Sequence, residues 1–115
     1  MGKHVVVTQD SSANTAQTVT ISALARQTGG SSKRYKIHSV TVTTKGADLA
    51  ADIGILITTG YGFTWNAELR SGKVFGFDKI FGPFGLDCGP GATTVVVDAG
   101  GASVVTTCSV HYEVI

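Results

Sequence analysis

The chain has 115 residues, of which 43% are hydrophobic and only 15% are charged, and its formal net charge is +1. This length suits one domain that can bury a core of its own. A nearly neutral chain gives no electrostatic reason to expect nucleic acid, and the absence of an apolar run of about 18 residues argues against a membrane helix. The charged fraction lies below the roughly 25% of an average soluble domain, which favours a surface that packs against other proteins.

Strand signals recur along the whole chain. Segments rich in Val, Ile and Thr alternate with clusters of Gly, Ser, Asn and Pro, and no window keeps the apolar spacing of a helix beyond about two turns. We therefore predict an all-β fold for residues 1–115, a single antiparallel β-sandwich of about eight strands with jelly-roll-like order. An immunoglobulin-like sandwich is the second topology. The predicted strands are 4–8, 16–24, 34–44, 52–59, 63–69, 73–81, 92–98 and 102–114.

The third predicted strand contains a change in side-chain parity. Ile37 would lie on the opposite face from Val40 and Val42 if the alternation were regular. A β-bulge near His38 and Ser39 would return all three apolar residues to one face.

An aromatic set lies between the fourth and fifth strands. Tyr61 belongs to a Gly-rich turn, and Phe63 and Trp65 follow it at alternate positions. Such a loop can stack on sugars or anchor a protein interface. Packing of Phe63 and Trp65 in the core is the competing, preferred interpretation.

Residues 82–91 are expected to form the longest irregular loop, because Gly and Pro interrupt strand pairing. Pro83, Phe84 and Leu86 lie in this segment. An apolar pair on a loop stiffened by proline is either a contact element or a cap on one end of the sandwich.

Short turns predict two hairpins. Residues 70–72 would join the fifth strand to the sixth, and residues 99–101 would join the last two strands. The final strand is long and apolar, so we expect it to be central in its sheet or to pair with a neighbouring subunit.

Few residues suggest chemistry. There is no Gly-x-Ser-x-Gly motif, and Cys88 and Cys108 are too few for a zinc site of four cysteines, so we expect reduced, buried thiols, no catalytic residue and no cofactor. If the third and last strands were neighbours, His38 and His111 could share a metal with Glu113. Exposed strand histidines with no metal are the preferred interpretation.

The whole-chain pattern carries a resemblance. A Thr-rich opening strand, strands at 35–44 and 52–59, a Gly/Pro loop and a terminal pair at 93–97 and 103–114 resemble the small β-sandwich proteins that decorate or cement the heads of tailed phages. The resemblance implies oligomers, commonly trimers, that bind capsid protein without a cofactor or catalysis. It includes no diagnostic motif, and no functional residue is carried over from it.

Together these observations predict a non-enzymatic virion structural protein, a capsid decoration protein made in the host cytoplasm without a signal peptide and located on the capsid surface. Its predicted partners are the major capsid protein and itself, as a homotrimer, with no nucleic acid and no membrane. The alternatives are a carbohydrate-binding or host-recognition module, with Tyr61 and Trp65 as its platform, and a tail or neck component. Residues 4–8 are available for exchange between subunits. The predicted contact residues are Tyr61, Phe63, Trp65, Pro83, Phe84 and Leu86.

Overall fold

A computed structural model describes residues 3–22, 34–49, 51–70 and 76–115 of the chain. Within these segments there are nine β-strands and no helix, and the strands form two antiparallel sheets. The predicted all-β sandwich is therefore confirmed. None of the described segments contains a helix long and apolar enough to cross a membrane. The strands are β1 Lys3–Asp10, β2 Gln17–Ile21, β3 Tyr35–Lys45, β4 Ile53–Thr58, β5 Thr64–Leu69, β6 Gly76–Ile80, β7 Leu86–Gly89, β8 Thr93–Val97 and β9 Val105–Val114.

The strand order follows from folding the chain back on itself as one long hairpin. The first strand pairs with the last, β2 pairs with β8, β3 with β6, and β4 with β5, all antiparallel. The β1–β9 pair joins the β3–β6 pair because β9 also pairs with β3. The β2–β8 pair joins the β4–β5 pair because β8 also pairs with β4. The larger sheet has the order β1-β9-β3-β6 with β7 also on β3, and the smaller sheet has the order β2-β8-β4-β5. Alternate pairs therefore lie in opposite sheets, which is jelly-roll order with β7 as an addition.

The core lies between the two sheets and is built from alternate residues of each strand. In β4 the burial alternates, with Ile53, Ile55 and Ile57 buried and Leu56 exposed on the other face. β-branched side chains fit the pleated, half-buried surface of a sheet, and most of the core is Val or Ile. The other fully buried residues with large side chains are Val19, Ile37, Val40, Val42, Leu69, Val95, Val97, Val104 and Val110.

The predicted bulge is present in β3. The register of β3 on β9 shifts between Ile37 and Ser39, so His38 is the extra residue. The buried positions Ile37, Val40 and Val42 consequently face the core together.

Both predicted hairpins are wrong. The strands β5 and β6 lie in different sheets, as do β8 and β9. A short connection can either reverse the chain within one sheet or cross between two sheets, and here burial of the apolar faces selects the crossing. Residues 99–101 make the second crossing, where a side chain at Gly100 would collide with Val104. Residues 71–75, in the first connection, lie outside the described residues.

The segment 82–91 also differs from expectation. It contains the short strand β7, which pairs with the first residues of β3. Its Gly and Pro content predicted a loop, but pairing with β3 stabilises a strand there. The final strand β9 lies between β1 and β3, so the prediction that it is central in its sheet is confirmed.

Candidate functional site

Two loops carry most of the predicted contact residues. Residues 59–63 join β4 to β5, and residues 81–85 join β6 to β7. The second loop lies beside the start of β3, where Phe81 donates its backbone N–H to the carbonyl of His38, and the Phe81 ring packs against Trp65, two residues after the first loop. We call these two loops, together with residues 88–92 at the end of β7 and before β8, the aromatic end.

Close backbone contact fixes the first of these loops. A Cβ on Gly60 would lie 2.6 Å from the carbonyl oxygen of Gly91 and 2.7 Å from that of Cys88, so only glycine fits there. The N–H of Gly60 also donates to the hydroxyl of Thr93 at 3.1 Å. The ring of Tyr61 lies against Gly89, where a Cβ would be 2.8 Å from the ring, and the positive φ of 72° also favours glycine at this position. The loop of residues 59–63 is therefore held in one position against residues 88–93.

Four of the six predicted contact residues are exposed at the aromatic end. Relative exposure is 54% for Tyr61, 72% for Phe63 and 79% for Phe84, and Pro83 is exposed beside Phe84. Phe63 does not pack in the core as preferred from the sequence, because the inward alternation of β5 begins only at Trp65. Three large aromatic side chains on these two loops are therefore exposed to solvent.

The other two predicted contact residues are half-buried. Trp65 packs edge-on against Phe81, which directly follows β6, at 5.3 Å between ring centroids, and it contacts Phe77 of β6 in the opposite sheet. Leu86 packs against the core and pairs with Ile37. Trp65 was correctly assigned to the core side of its strand.

A second cluster lies on the outer face of the larger sheet. The strands β3 and β9 are neighbours, which was the condition for bringing His38, His111 and Glu113 together. His38 Nε2 lies 2.8 Å from a carboxylate oxygen of Glu113, and the rings of His38 and His111 are 5.2 Å apart. The sequence argument missed His4, which lies directly opposite Glu113 in the β1–β9 ladder. No local signal pairs the first strand with the last, so only strand order could have revealed it.

The rest of that outer face is polar but carries little charge. Hydroxyl groups bond across it, with Thr8 to Ser109 at 2.7 Å and Thr41 to Asp78 at 3.0 Å. Ser and Thr hydroxyl groups on this face are therefore satisfied by one another or by an Asp carboxylate.

The two cysteines are free and buried, as predicted. Burial raises the pKa of the Cys108 thiol to about 11 and raises the pKa of Cys88 in the same direction. Both thiols are therefore protonated at neutral pH, which disfavours them as nucleophiles or metal ligands.

Strand order and core together define the class: an antiparallel β-sandwich with jelly-roll order. No protein-family model and no curated protein sequence matches the chain. Its structure is similar to tobacco streak virus coat protein, with a TM-score of 0.39 and 14% identity over 96% of this chain and 85% of that one.

Two further similar structures come from different assemblies. A pilus of Bacillus endospore appendages has a TM-score of 0.43 and 12% identity, over 99% of this chain and 88% of that one. The virus-like particle of Macrobrachium rosenbergii extra small virus has a TM-score of 0.34 and 15% identity, over 97% and 79%. These TM-scores are low and carry no argument about function, which is argued below from the residues of this chain.

Proposed function

We propose that this chain is a non-enzymatic structural protein of a virion, a decoration protein that binds the major capsid protein on the outside of a phage head. The exposed side chains of Tyr61, Phe63 and Phe84 at the aromatic end are the observation that carries the proposal. Large aromatic groups dominate the energetics of protein interfaces when they enter pockets on a partner.

The composition supports the same role. Charged residues are 15% of the chain, and on the outer face of the larger sheet hydroxyl groups form hydrogen bonds, with Thr8 bonded to Ser109 and Thr107 to Asp10. Neutral groups cost less to remove from water than unpaired charges do, so such a surface is suited to close packing among neighbouring subunits.

An oligomer would multiply a weak contact. Several aromatic ends held in one homotrimer would bind a repeating lattice with an avidity far above that of a single end. The strand β1 is the element available for exchange, because it is an edge strand that pairs only with β9 among the described strands. Light scattering on the purified chain measures whether the trimer forms.

The proposal is tested by binding to phage heads that lack the protein. We expect the wild type to saturate these heads at a fixed copy number, and Phe63→Asp and Phe84→Asp to weaken binding at least tenfold, because each places a charge in an apolar contact. Leu56→Asp is the matched control: Leu56 is also an exposed large hydrophobic residue, at 38%, but it lies on the outer face of the smaller sheet. The proposal is wrong if both aspartate variants at the aromatic end bind as the wild type does.

The carbohydrate-binding alternative requires Tyr61 and Trp65 to form one stacking platform. Trp65 is instead half-buried, with the Lys79 ammonium 6.0 Å from its ring and Phe81 packed edge-on against it. This geometry favours a protein partner over a sugar. Glycan-array binding that disappears in Trp65→Ala would reverse that preference.

A further inference from the structure

Three neighbouring strands place three imidazoles and one carboxylate on the outer face of the larger sheet. His4 comes from β1, His38 from β3, and His111 and Glu113 from β9. The ring centroids of the three histidines are 5.1 to 5.4 Å apart in every pair. We call these four residues the histidine cluster. The cluster includes all three histidines of the chain.

The ligand atoms of this cluster converge. His38 Nε2 is 2.8 Å from Glu113 Oε1, and His4 Nε2 is 3.6 Å from Glu113 Oε2. One ligand atom from each of His4, His38 and Glu113 lies within 4.8 Å of the other two. Two imidazoles and one carboxylate form a donor set that binds zinc and related ions in proteins.

We propose that His4, His38 and Glu113 bind one divalent transition-metal ion of the zinc class. This proposal is independent of the function proposed above. Zinc lies about 2.0 to 2.2 Å from nitrogen and oxygen ligands, so tetrahedral ligands are about 3.4 Å from one another. The distances of 2.8 and 3.6 Å lie on either side of that value. The His4 side chain, which is 55% exposed, can move to close the remaining gap to His38.

The hydrogen bonds of the cluster agree with metal binding. His4 Nδ1 is 2.9 Å from His111 Nε2. If His4 binds the ion through Nε2, its Nδ1–H donates to His111, which orients the ring as outer hydrogen-bond partners do in metal sites. His38 Nε2 contacts Glu113 directly, and an ion would replace the proton shared between them. His111 is therefore assigned as a positioning residue and not as a ligand.

The backbone holds two of the three ligands firmly. His38 is the bulge residue of β3, and the side chains of His38 and Glu113 are only 19% and 17% exposed. Gly85 lies against the His38 ring, where a Cβ would be 3.3 Å from Nδ1, and its φ is +73°. His4, at the edge, leaves the outer side of the cluster open for water as a fourth ligand.

The charges near the cluster favour metal ions that bind imidazole nitrogen over Ca²⁺ and Mg²⁺, which bind oxygen ligands. Lys36 is paired with Glu113 in the β3–β9 ladder, and the pair of Arg34 and Asp87 lies one strand further. With a lysine beside its only carboxylate, the cluster offers little to Ca²⁺ or Mg²⁺, which prefer several oxygen ligands. Imidazole donors retain their affinity for Zn²⁺, Co²⁺ and Ni²⁺.

Calorimetric titration of the full, untagged chain with Zn²⁺ tests the proposal. We expect one ion per chain, no binding of Mg²⁺, and at least tenfold weaker Zn²⁺ binding in each of His4→Gln, His38→Gln and Glu113→Gln. His111→Gln should weaken binding less than the ligand variants do. Asp10→Asn is the matched control, because Asp10 lies on the same face and bonds to Thr107 outside the cluster.

Co²⁺ absorption identifies the ligands independently of affinity. We expect visible d–d bands without a thiolate charge-transfer band, and the same spectrum in the variant that replaces Cys88 and Cys108 with Ser. Circular dichroism of each variant confirms that the sandwich is folded. A thiolate band, or Zn²⁺ binding that is unchanged in folded His4→Gln and His38→Gln, would overturn the assignment.

Discussion

Cys108 is the residue whose ionisation the fold changes most clearly. It is fully buried on the inner face of β9, and this burial raises the pKa of its thiol to about 11 from an ordinary value of 9.0. The folded protein therefore keeps a proton that the unfolded chain loses first as the pH rises. Because the folded pKa is raised, the stabilisation is complete below pH 9 and is lost progressively between pH 9 and pH 11.

We predict that the free energy of unfolding falls by about 3 kcal/mol across this range on account of Cys108. Urea unfolding in reducing buffer, at a series of pH values, measures the effect in the wild type and in Cys108→Ala. The alanine variant should show a smaller fall, because the buried thiols of Cys88 and Cys108 both contribute to the wild-type fall and only Cys88 remains. Equal pH dependence in the two proteins would contradict this account.

Residue types alone identified several individual positions. The proximity of His38 to His111 was predicted on the condition that the third and last strands were neighbours, which they are. His4 was not, because its neighbour Glu113 is more than a hundred residues away along the chain. Phe63 was assigned to the core by alternation, but alternation applies only where a strand continues, and β5 begins at Thr64.

At the scale of the strand, parity is the property with the largest energetic consequence. Ile57 is fully buried in β4, whereas its neighbour Leu56 points to the other face and is 38% exposed. We predict that Ile57→Ala lowers the free energy of unfolding by about 2 to 5 kcal/mol, since it leaves a cavity between the sheets.

The matched variant Leu56→Ala should cost less than about 1.5 kcal/mol, because the deleted atoms already contact water. Chemical denaturation of both variants gives the comparison. If Leu56→Ala were the more destabilising variant, Leu56 would face the core and Ile57 the solvent, which contradicts the structure.

Strand existence was predictable and strand partnership was not. The alternation in each segment is local, and each of the eight predicted segments overlaps an observed strand. The added strand β7 has only four residues and lies among Gly and Pro, so its stability depends on Tyr35, Lys36 and Ile37 of β3. The failed hairpins have the same origin, because a turn sequence does not specify which sheet the next strand enters.

For the whole molecule, the jelly-roll order implies slow folding. The outermost pair joins β1 to β9, and most tertiary contacts of the chain are long-range in sequence. Loop closure must precede these contacts, so we predict that the chain folds in milliseconds to seconds and not in microseconds.

Trp65 provides the measurement. It is the single tryptophan of the chain, and it packs against Phe77 of the other sheet and against Phe81, which directly follows β6, so its fluorescence reports the docking of the two sheets. Stopped-flow refolding from urea should show a resolvable phase on this time scale. Complete docking within the dead time of the instrument would contradict the prediction.

The sequence by itself determined the class of fold, the approximate positions of eight of the nine described strands and the bulge near His38, because side-chain alternation is a property of neighbouring residues. The tertiary structure alone decided which strands pair, that short connections cross between sheets, and that His4 meets His38 and Glu113. Those outcomes depend on burying both apolar faces at once. That requirement depends on residues far apart in the chain, so it cannot be predicted from a local sequence pattern.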